Sequence, residues 1–333
     1  MKKSSFAAGP HIFITGLNGF IGSALAEKLV STKQYKVSGL VRKSSRPSPD
    51  LDRIRGSVDI YEGDLQDYYG LRKILETAMP THLIHMGACT PVSFSFSSPI
   101  EVNKNNYIGS LNIVEAARDA LPSLRGFLFA SSMEVFGEQP ADLQVFDEET
   151  PPHPLAPYAV SKRAFEIYLE LLWRVYKFPA LSVRQTNAYG RKENSYFVVE
   201  AIITQMLKNK VINLGRGTPV RNFIHIDDLC NFYLTMLKHI EDGVDPTDEG
   251  VFGEIFCTGP NNGLTIEELV QKIAKHMKWK GKVNWGTREI RAGEVFRLNS
   301  KPNKAIETFG WKPQIGLDEG LKRTITYWRK KLC

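Results

Sequence analysis

The stretch His11–Val30, H-I-F-I-T-G-L-N-G-F-I-G-S-A-L-A-E-K-L-V, decides the fold. Ile12, Phe13 and Ile14 form a short β-prone apolar run, which predicts a buried strand. Thr15-Gly16 breaks the run, and the apolar residues of Ala24–Val30 recur at helical spacing. Between strand and helix lie Gly16, Gly19 and Gly22. Glycines so spaced suit a tight turn, a close backbone approach to a pyrophosphate and tight helix–strand packing. The helix N-terminus then offers N–H groups and the positive end of its dipole to the phosphates. An ordinary strand-to-helix turn can carry the same glycines. Here the pattern opens the chain, follows a strand and starts a helix, which favours a bound nucleotide.

The whole chain sets broad bounds. Its 333 residues suffice for one large domain or two intimate ones, and 42% hydrophobic with 24% charged residues is the balance of a globular protein. The net charge of +7 suits a phosphate-bearing substrate or an ordinary solvated surface, and no basic run points to nucleic acid. Cys89, Cys230, Cys257 and Cys333 lack metal-ligand or C-x-x-C spacing, so no metal is expected and reduced thiols in a cytoplasmic protein are the simpler reading. Gly9-Pro10 interrupts any signal-like start, and no segment approaches the ~20 apolar residues of a membrane span.

Strands are predicted over 35–41, 57–62, 81–86, 127–130 and 181–183, with helices over 68–78, 107–121 and 158 to about 177. This alternation implies an α/β fold, a Rossmann-type doubly wound parallel sheet with right-handed crossovers, followed by a smaller C-terminal α/β substrate-binding unit. Ligands should gather at the carboxyl ends of the strands, where Gly16, Arg42, Ala88 and Ser132 fall. Arg42, Lys43 and Ser44 stand where an acidic residue would bind the ribose of NAD; cations and a hydroxyl suit a 2′-phosphate, so NADP is favoured, with NAD as the alternative. Asp64 can serve as the N-cap of helix 68–78 as well as meet a ligand, Asp227 suits the cap of a later helix, and Thr265-Ile266-Glu267-Glu268 reads as a capping box. His85 reads as a packed strand residue rather than a base. Tyr158 and Lys162 lie four apart on one helical face, and a nearby ammonium lowers a phenol's proton affinity. A tyrosine so placed can take a hydroxyl proton while hydride leaves the same carbon. The same helix is apolar on more than one face (Phe165, Ile167, Tyr168, Leu169, Leu171, Leu172, Trp173 and Val175): one face packs on the sheet, and a second suits a partner helix or cover by C-terminal segments.

The motif T-G-L-N-G-F-I-G resembles the extended short-chain dehydrogenase/reductase family, the NAD(P)-dependent nucleotide-sugar epimerases and dehydratases. The resemblance continues through His85-Met86-Gly87-Ala88, Asn106-Tyr107-Ile108-Gly109-Ser110, Ser131 to Gly137, Tyr158-Ala159-Val160-Ser161-Lys162, Arg184 to Gly190, Arg221 to Asp228, Arg291-Ala292-Gly293-Glu294 and Phe309 to Pro313, about residues 10–328. It implies a dinucleotide-binding unit of residues 1–186, with return segments near 222–240 and 252–259, and a substrate unit of 187–221 and 260–333. Gly16, Asn18, Gly19, Phe20, Ile21, Gly22, Asp64, Leu65, Met86, Gly87, Ala88 and Asn106 would bind the cofactor beside Arg42, Lys43, Ser44, Tyr158 and Lys162. Thr90, Ser132, Asn187, Phe197, Arg221 and Arg291 would bind a nucleoside-diphosphate sugar. The bound nicotinamide would take hydride from its C4 to give a 4-keto sugar, with Tyr158 as base for the 4-hydroxyl, Lys162 lowering its proton affinity and Ser132 bonding the same oxygen, within a homodimer. Glu134 matches the C5-proton acceptor of the family's 4,6-dehydratases, but Met133 replaces the acid that many of them place beside it. That departure puts a 4-epimerase ahead of a 4,6-dehydratase, with an NADPH-dependent keto-sugar reductase third. A nucleotide-sensing scaffold is the non-enzymatic alternative, disfavoured by the intact Ser132, Tyr158 and Lys162.

Overall fold

The computed structural model describes residues 9–43, 49–191, 197–244, 250–287 and 293–332. His11–Thr15 (β1) is buried at every position because helices cover both faces of the sheet it centres. Its side chains alternate as the pleat demands, Ile12 and Ile14 entering one apolar layer and Phe13 the other. The chain runs on through Phe20–Thr32 (α1), Lys36–Val41 (β2), Asp59–Glu62 (β3), Tyr68–Ala78 (α2) and His82–His85 (β4). Gly109–Ala120 (α3), Gly126–Ser132 (β5), Pro157–Tyr176 (α4) and Ala180–Gln185 (β6) complete the alternation.

Beyond β6 come Asn187–Tyr189 (β7), Val198–Lys208 (α5), Val220–Arg221 (β8), Phe223–His225 (β9) and Ile226–Glu241 (α6). Ile255–Cys257 (β10) then returns to the edge of the large sheet, whose order is β10-β6-β5-β4-β1-β2-β3. All its pairings are parallel, and the direction of travel reverses between β1 and β4. Such a switch point opens a crevice outside the strands' carboxyl ends, bounded here by Gly16 and Gly87.

α1 begins at Phe20, earlier than its apolar spacing indicates. Gly19 caps it in an extended conformation and Gly22 fits within its first turn. Two expected caps are corrected. Asp67, not Asp64, caps α2 by accepting from the Gly70 N–H at 2.9 Å, while Asp64 accepts from the Gln66 N–H. His225, not Asp227, caps α6, and Asp227 sits in its first turn. The Thr265–Glu268 capping box is present as expected.

A second apolar core joins α5, the helix Ile266–Met277 and the last helix, Leu317–Leu332, through Ile202, Ile203, Leu269, Ile273, Leu321 and Trp328. β8 pairs with Leu264–Thr265 and with Arg297–Leu298, while β7 pairs with β9. Among the described residues no helix is long and apolar enough to cross a membrane.

Candidate active site

The glycine turn forms a cradle that side chains would fill. Gly16 has φ +71°, and a Cβ there would lie 3.0 Å from the backbone of Gly87. A Cβ on Gly22 would stand 2.3 Å from the Gly16 carbonyl oxygen. No side chain caps α1 and no acidic residue occupies its first turn, so its dipole end faces the crevice uncompensated. Asn18, Phe20 and Ile21 are half-buried around it. This is a fit for the pyrophosphate of a dinucleotide.

β4 is tied to β1 at the same level. Thr15 Oγ1 accepts from the Met86 and Gly87 N–H groups at 3.1 and 3.0 Å and contacts His85 Nδ1 at 2.7 Å. The other ring nitrogen of His85 meets Ser110 Oγ at 2.8 Å, and burial pushes its pKa down to about 3, so this neutral side chain packs rather than acts as a base. Asn106 clamps the chain just after β4, accepting from the Cys89 N–H at 2.7 Å and donating to its carbonyl at 3.0 Å. Ala88 and Cys89 are half-buried and Thr90 is exposed. Arg42 and Lys43 stand exposed at the end of β2, Asp64 is exposed after β3, and Leu65 is buried beneath Gly87 and Gly109. Ser44 and Arg291 lie outside the described residues.

Ser132, Tyr158 and Lys162 come together from the end of β5 and the first turns of α4, all nearly buried. Ser132 Oγ accepts the Glu134 N–H at 3.2 Å and hydrogen-bonds the Tyr158 hydroxyl. Lys162 Nζ donates to the Ala130 carbonyl at 2.7 Å and lies 4.6 Å from the Phe129 ring centre. The expected lowering of the phenol by the ammonium is not what this geometry produces. Burial raises the Tyr158 pKa, the half-buried Glu134 raises it further, and only the Ser132 bond opposes them. Burial also pushes Lys162 down to about 7, against the pull of Glu166. Desolvation is thus the largest influence on both groups.

On the far wall, Asn187 Nδ2 donates to the Asn222 carbonyl at 3.2 Å and to Met133 Sδ at 3.6 Å. Thr186 Oγ1 also donates to Met133 Sδ, at 2.9 Å. Phe197 is the half-buried N-cap of α5. Arg221 reaches its neighbours more than expected: its guanidinium donates to the carbonyls of Val220, Val295 and Phe296 at 2.8, 2.8 and 3.3 Å. It therefore fastens β8 to the segment after Gly293. Glu166, outside every motif, and Asn222, within the Arg221–Asp228 motif but not among the expected site residues, sit at the centre of buried bonds behind the site. For Glu166 a signal existed: it follows Lys162 by four residues, one turn along the same face.

The fold and these residues together define a nicotinamide-dinucleotide enzyme of Rossmann type. The GDP-mannose 4,6 dehydratase family model matches residues 13–324, and the chain belongs to that family, within the extended short-chain dehydrogenase/reductase group of nucleotide-sugar epimerases and dehydratases. It is 30% identical over 329 residues to the dTDP-D-glucose 4,6-dehydratase of Bos taurus, covering 96% of this chain and 88% of that one. With a putative UDP-glucose 4-epimerase of Methanocaldococcus jannaschii it shares 29% identity, over 95% and 97% of the two chains. The crystal structure of UDP-glucose 4-epimerase from Thermotoga maritima with UDP-glucose matches with a TM-score of 0.86 at 29% identity, covering 97% of this chain and 100% of the other. That of Thermus thermophilus UDP-glucose 4-epimerase in complex with NAD gives 0.84 at 26% identity, over 96% and 99%.

Proposed function

We propose that this protein is a nucleoside-diphosphate-sugar 4-epimerase working through a 4-keto sugar. The observation that carries the choice is Met133. Its side chain is 2% exposed and its sulfur accepts from Thr186 and Asn187, so the position after Ser132 offers no proton to a departing 6-hydroxyl. Glu134, close enough to raise the Tyr158 pKa, favours a 4,6-dehydratase as the second reading.

Tyr158 takes the proton of the substrate 4-hydroxyl and returns it at the end of the cycle. Ser132 hydrogen-bonds the same oxygen, and Lys162 supplies positive charge that stabilises the phenolate. A bound nicotinamide supplies the hydride acceptor for C4 and the donor for its reduction from the opposite face. Gly16, Asn18, Gly19, Phe20, Ile21 and Gly22 would hold its pyrophosphate. Asp64, Leu65, Met86, Gly87, Ala88 and Asn106 would line the rest of its cleft, and Arg42 and Lys43 would meet a 2′-phosphate, favouring NADP. Asn187, Arg221 and Arg291 would anchor the sugar nucleotide's diphosphate, with Thr90 and Phe197 beside it, so that binding energy positions C4. The boundaries 1–186, with returns near 222–240 and 252–259, against 187–221 and 260–333 follow this division of labour. Ile167, Leu171 and Val175 leave an exposed apolar stripe on α4, which supports a symmetric homodimer. Reduced thiols at Cys89, Cys230 and Cys257 agree with a cytoplasmic enzyme.

Turnover of a panel of nucleotide sugars in deuterated water tests the reading. Epimerisation at C4 introduces no label on carbon, whereas dehydration places deuterium at C5 or C6. Label there, lost in Glu134→Gln, would reverse the assignment.

A further inference from the structure

Behind the catalytic residues lies a buried ion pair that joins Arg184, the first residue of the Arg184–Gly190 motif, to Glu166, which no motif covers. Glu166 has no exposed side-chain surface and Arg184 almost none. Glu166 Oε1 accepts from Ser131 Oγ at 2.6 Å and from Arg184 Nε at 3.1 Å. Its Oε2 accepts from Arg184 Nη2 at 3.0 Å and from Arg163 Nη1 at 3.1 Å. Tyr158, Lys162 and Glu166 therefore follow one another at four-residue steps along α4, facing three successive residues of β5. Ser132 bonds Tyr158, the Ala130 carbonyl bonds Lys162 and Ser131 bonds Glu166. Arg184 extends the lattice, its Cζ lying 4.9 Å from the ring centre of Phe136 in the turn that carries Glu134.

Lys162 needs such support. The groups facing it are Tyr158 and Glu166 from its own helix, the Ala130 carbonyl and the Phe129 ring from β5, and the neutral His85 from β4. Cys89 and Glu134 approach Tyr158, and Arg184 of β6 stands beyond Glu166. Of these groups only Glu166 acts on the ammonium with a stabilising charge, opposing the burial that lowers its pKa to about 7.

We propose that Glu166, clamped by Arg184 and Ser131, is a positioning residue that keeps Lys162 charged beside Tyr158 and fixes α4 in register with β5. This rests on the catalytic roles given above to Tyr158 and Lys162. Its consequence for pH follows directly. Without the carboxylate the ammonium loses its proton more easily, so the alkaline limb of turnover moves to lower pH.

The test compares the parent, Glu166→Asp, Glu166→Gln and Glu166→Gln/Arg184→Met, each loaded with dinucleotide. The double variant removes both buried charges and so avoids stranding the guanidinium, which by itself can prevent folding. Two readouts are taken: turnover from pH 5.5 to 9, and the titration of the Lys162 ammonium by nitrogen-15 lysine NMR. Glu166→Gln should titrate Lys162 about one pH unit lower and lose about tenfold in rate on the alkaline side, recovering at acid pH, with the aspartate partly restoring the profile; the double variant should shift less, because loss of the guanidinium offsets part of the lost attraction. An unchanged Lys162 titration and an unchanged profile in folded Glu166→Gln, or a fall in the Lys162 titration in the double variant as large as in the single one, would overturn the proposal, leaving a purely structural pair. If the parent turns over no nucleotide sugar while its Lys162 titration still depends on Glu166, the functional reading fails and the positioning role stands.

Discussion

Replacing Tyr158 by phenylalanine removes a single oxygen from a side chain that is 7% exposed. The ring that packs against its neighbours is kept, and Ser132 Oγ still accepts the Glu134 N–H, so no buried group is stranded. The stability cost should therefore be that of one neutral hydrogen bond, about 0.5–1.5 kcal/mol, too little to unfold the chain. The pyrophosphate turn at Gly16–Gly22 packs against Met86 and Gly87 rather than Tyr158, and Lys162 keeps its bond to the Ala130 carbonyl, so most of the cofactor's expected contacts are untouched. A positioned general base contributes roughly 10²–10⁴ in rate, or about 3–5 kcal/mol of barrier. Loss of turnover should thus exceed loss of stability severalfold in energy, with dinucleotide affinity within about twofold of the parent. Urea denaturation, calorimetric titration with dinucleotide and initial rates on a responsive nucleotide sugar measure the three quantities. Turnover within threefold of the parent, in a folded and dinucleotide-bound variant, would refute the assignment of Tyr158.

Three further outcomes are expected. Dinucleotide extracted from the purified protein should be NADP(H), and alanine at Arg42 and Lys43 should shrink the preference; NAD(H) alone in the extract would overturn it. Leu171→Glu, on the exposed face of α4, should yield a folded monomer by light scattering, and a parent already monomeric at micromolar concentration would count against the dimer. Stability should fall as pH drops from about 6.5 toward 3, because the unfolded chain takes up a proton that buried His85 refuses until about pH 3. At pH 4.5 this one residue accounts for about 3 kcal/mol, visible as a lowered urea midpoint; a midpoint unchanged from pH 7 would show that His85 is not held neutral.

Legibility followed sequence distance. The strand–turn–helix of His11–Val30, the four-residue step from Tyr158 to Lys162 and the Thr265–Glu268 box are local patterns, and the structure contains all three. Even locally, competition among similar residues hid the outcome: Asp64 and Asp67 are both cap formers three residues apart, and the direction of the chain after β3 selects the second. The start of α1 was hidden because glycines and Phe20 carry little helical signal, although Gly22 fits there only by lacking a Cβ.

What the sequence by itself determined is the set of parts: the parallel α/β alternation, the phosphate turn, and the types and spacings of Ser132, Tyr158, Lys162, Asn187 and Arg221. Only the tertiary structure decided their state. Lys162 turns to the Ala130 carbonyl, Tyr158 holds its proton more tightly than a free phenol, and Arg221 spends donors on carbonyls some 75 residues away. Glu166 meets Arg184 across two elements, 18 residues apart. The physical reason is common to all four. Proton affinity and hydrogen-bond choice depend on which groups have lost water and which carbonyls remain unpaired nearby, and those are fixed by strand order and burial rather than by neighbours along the chain.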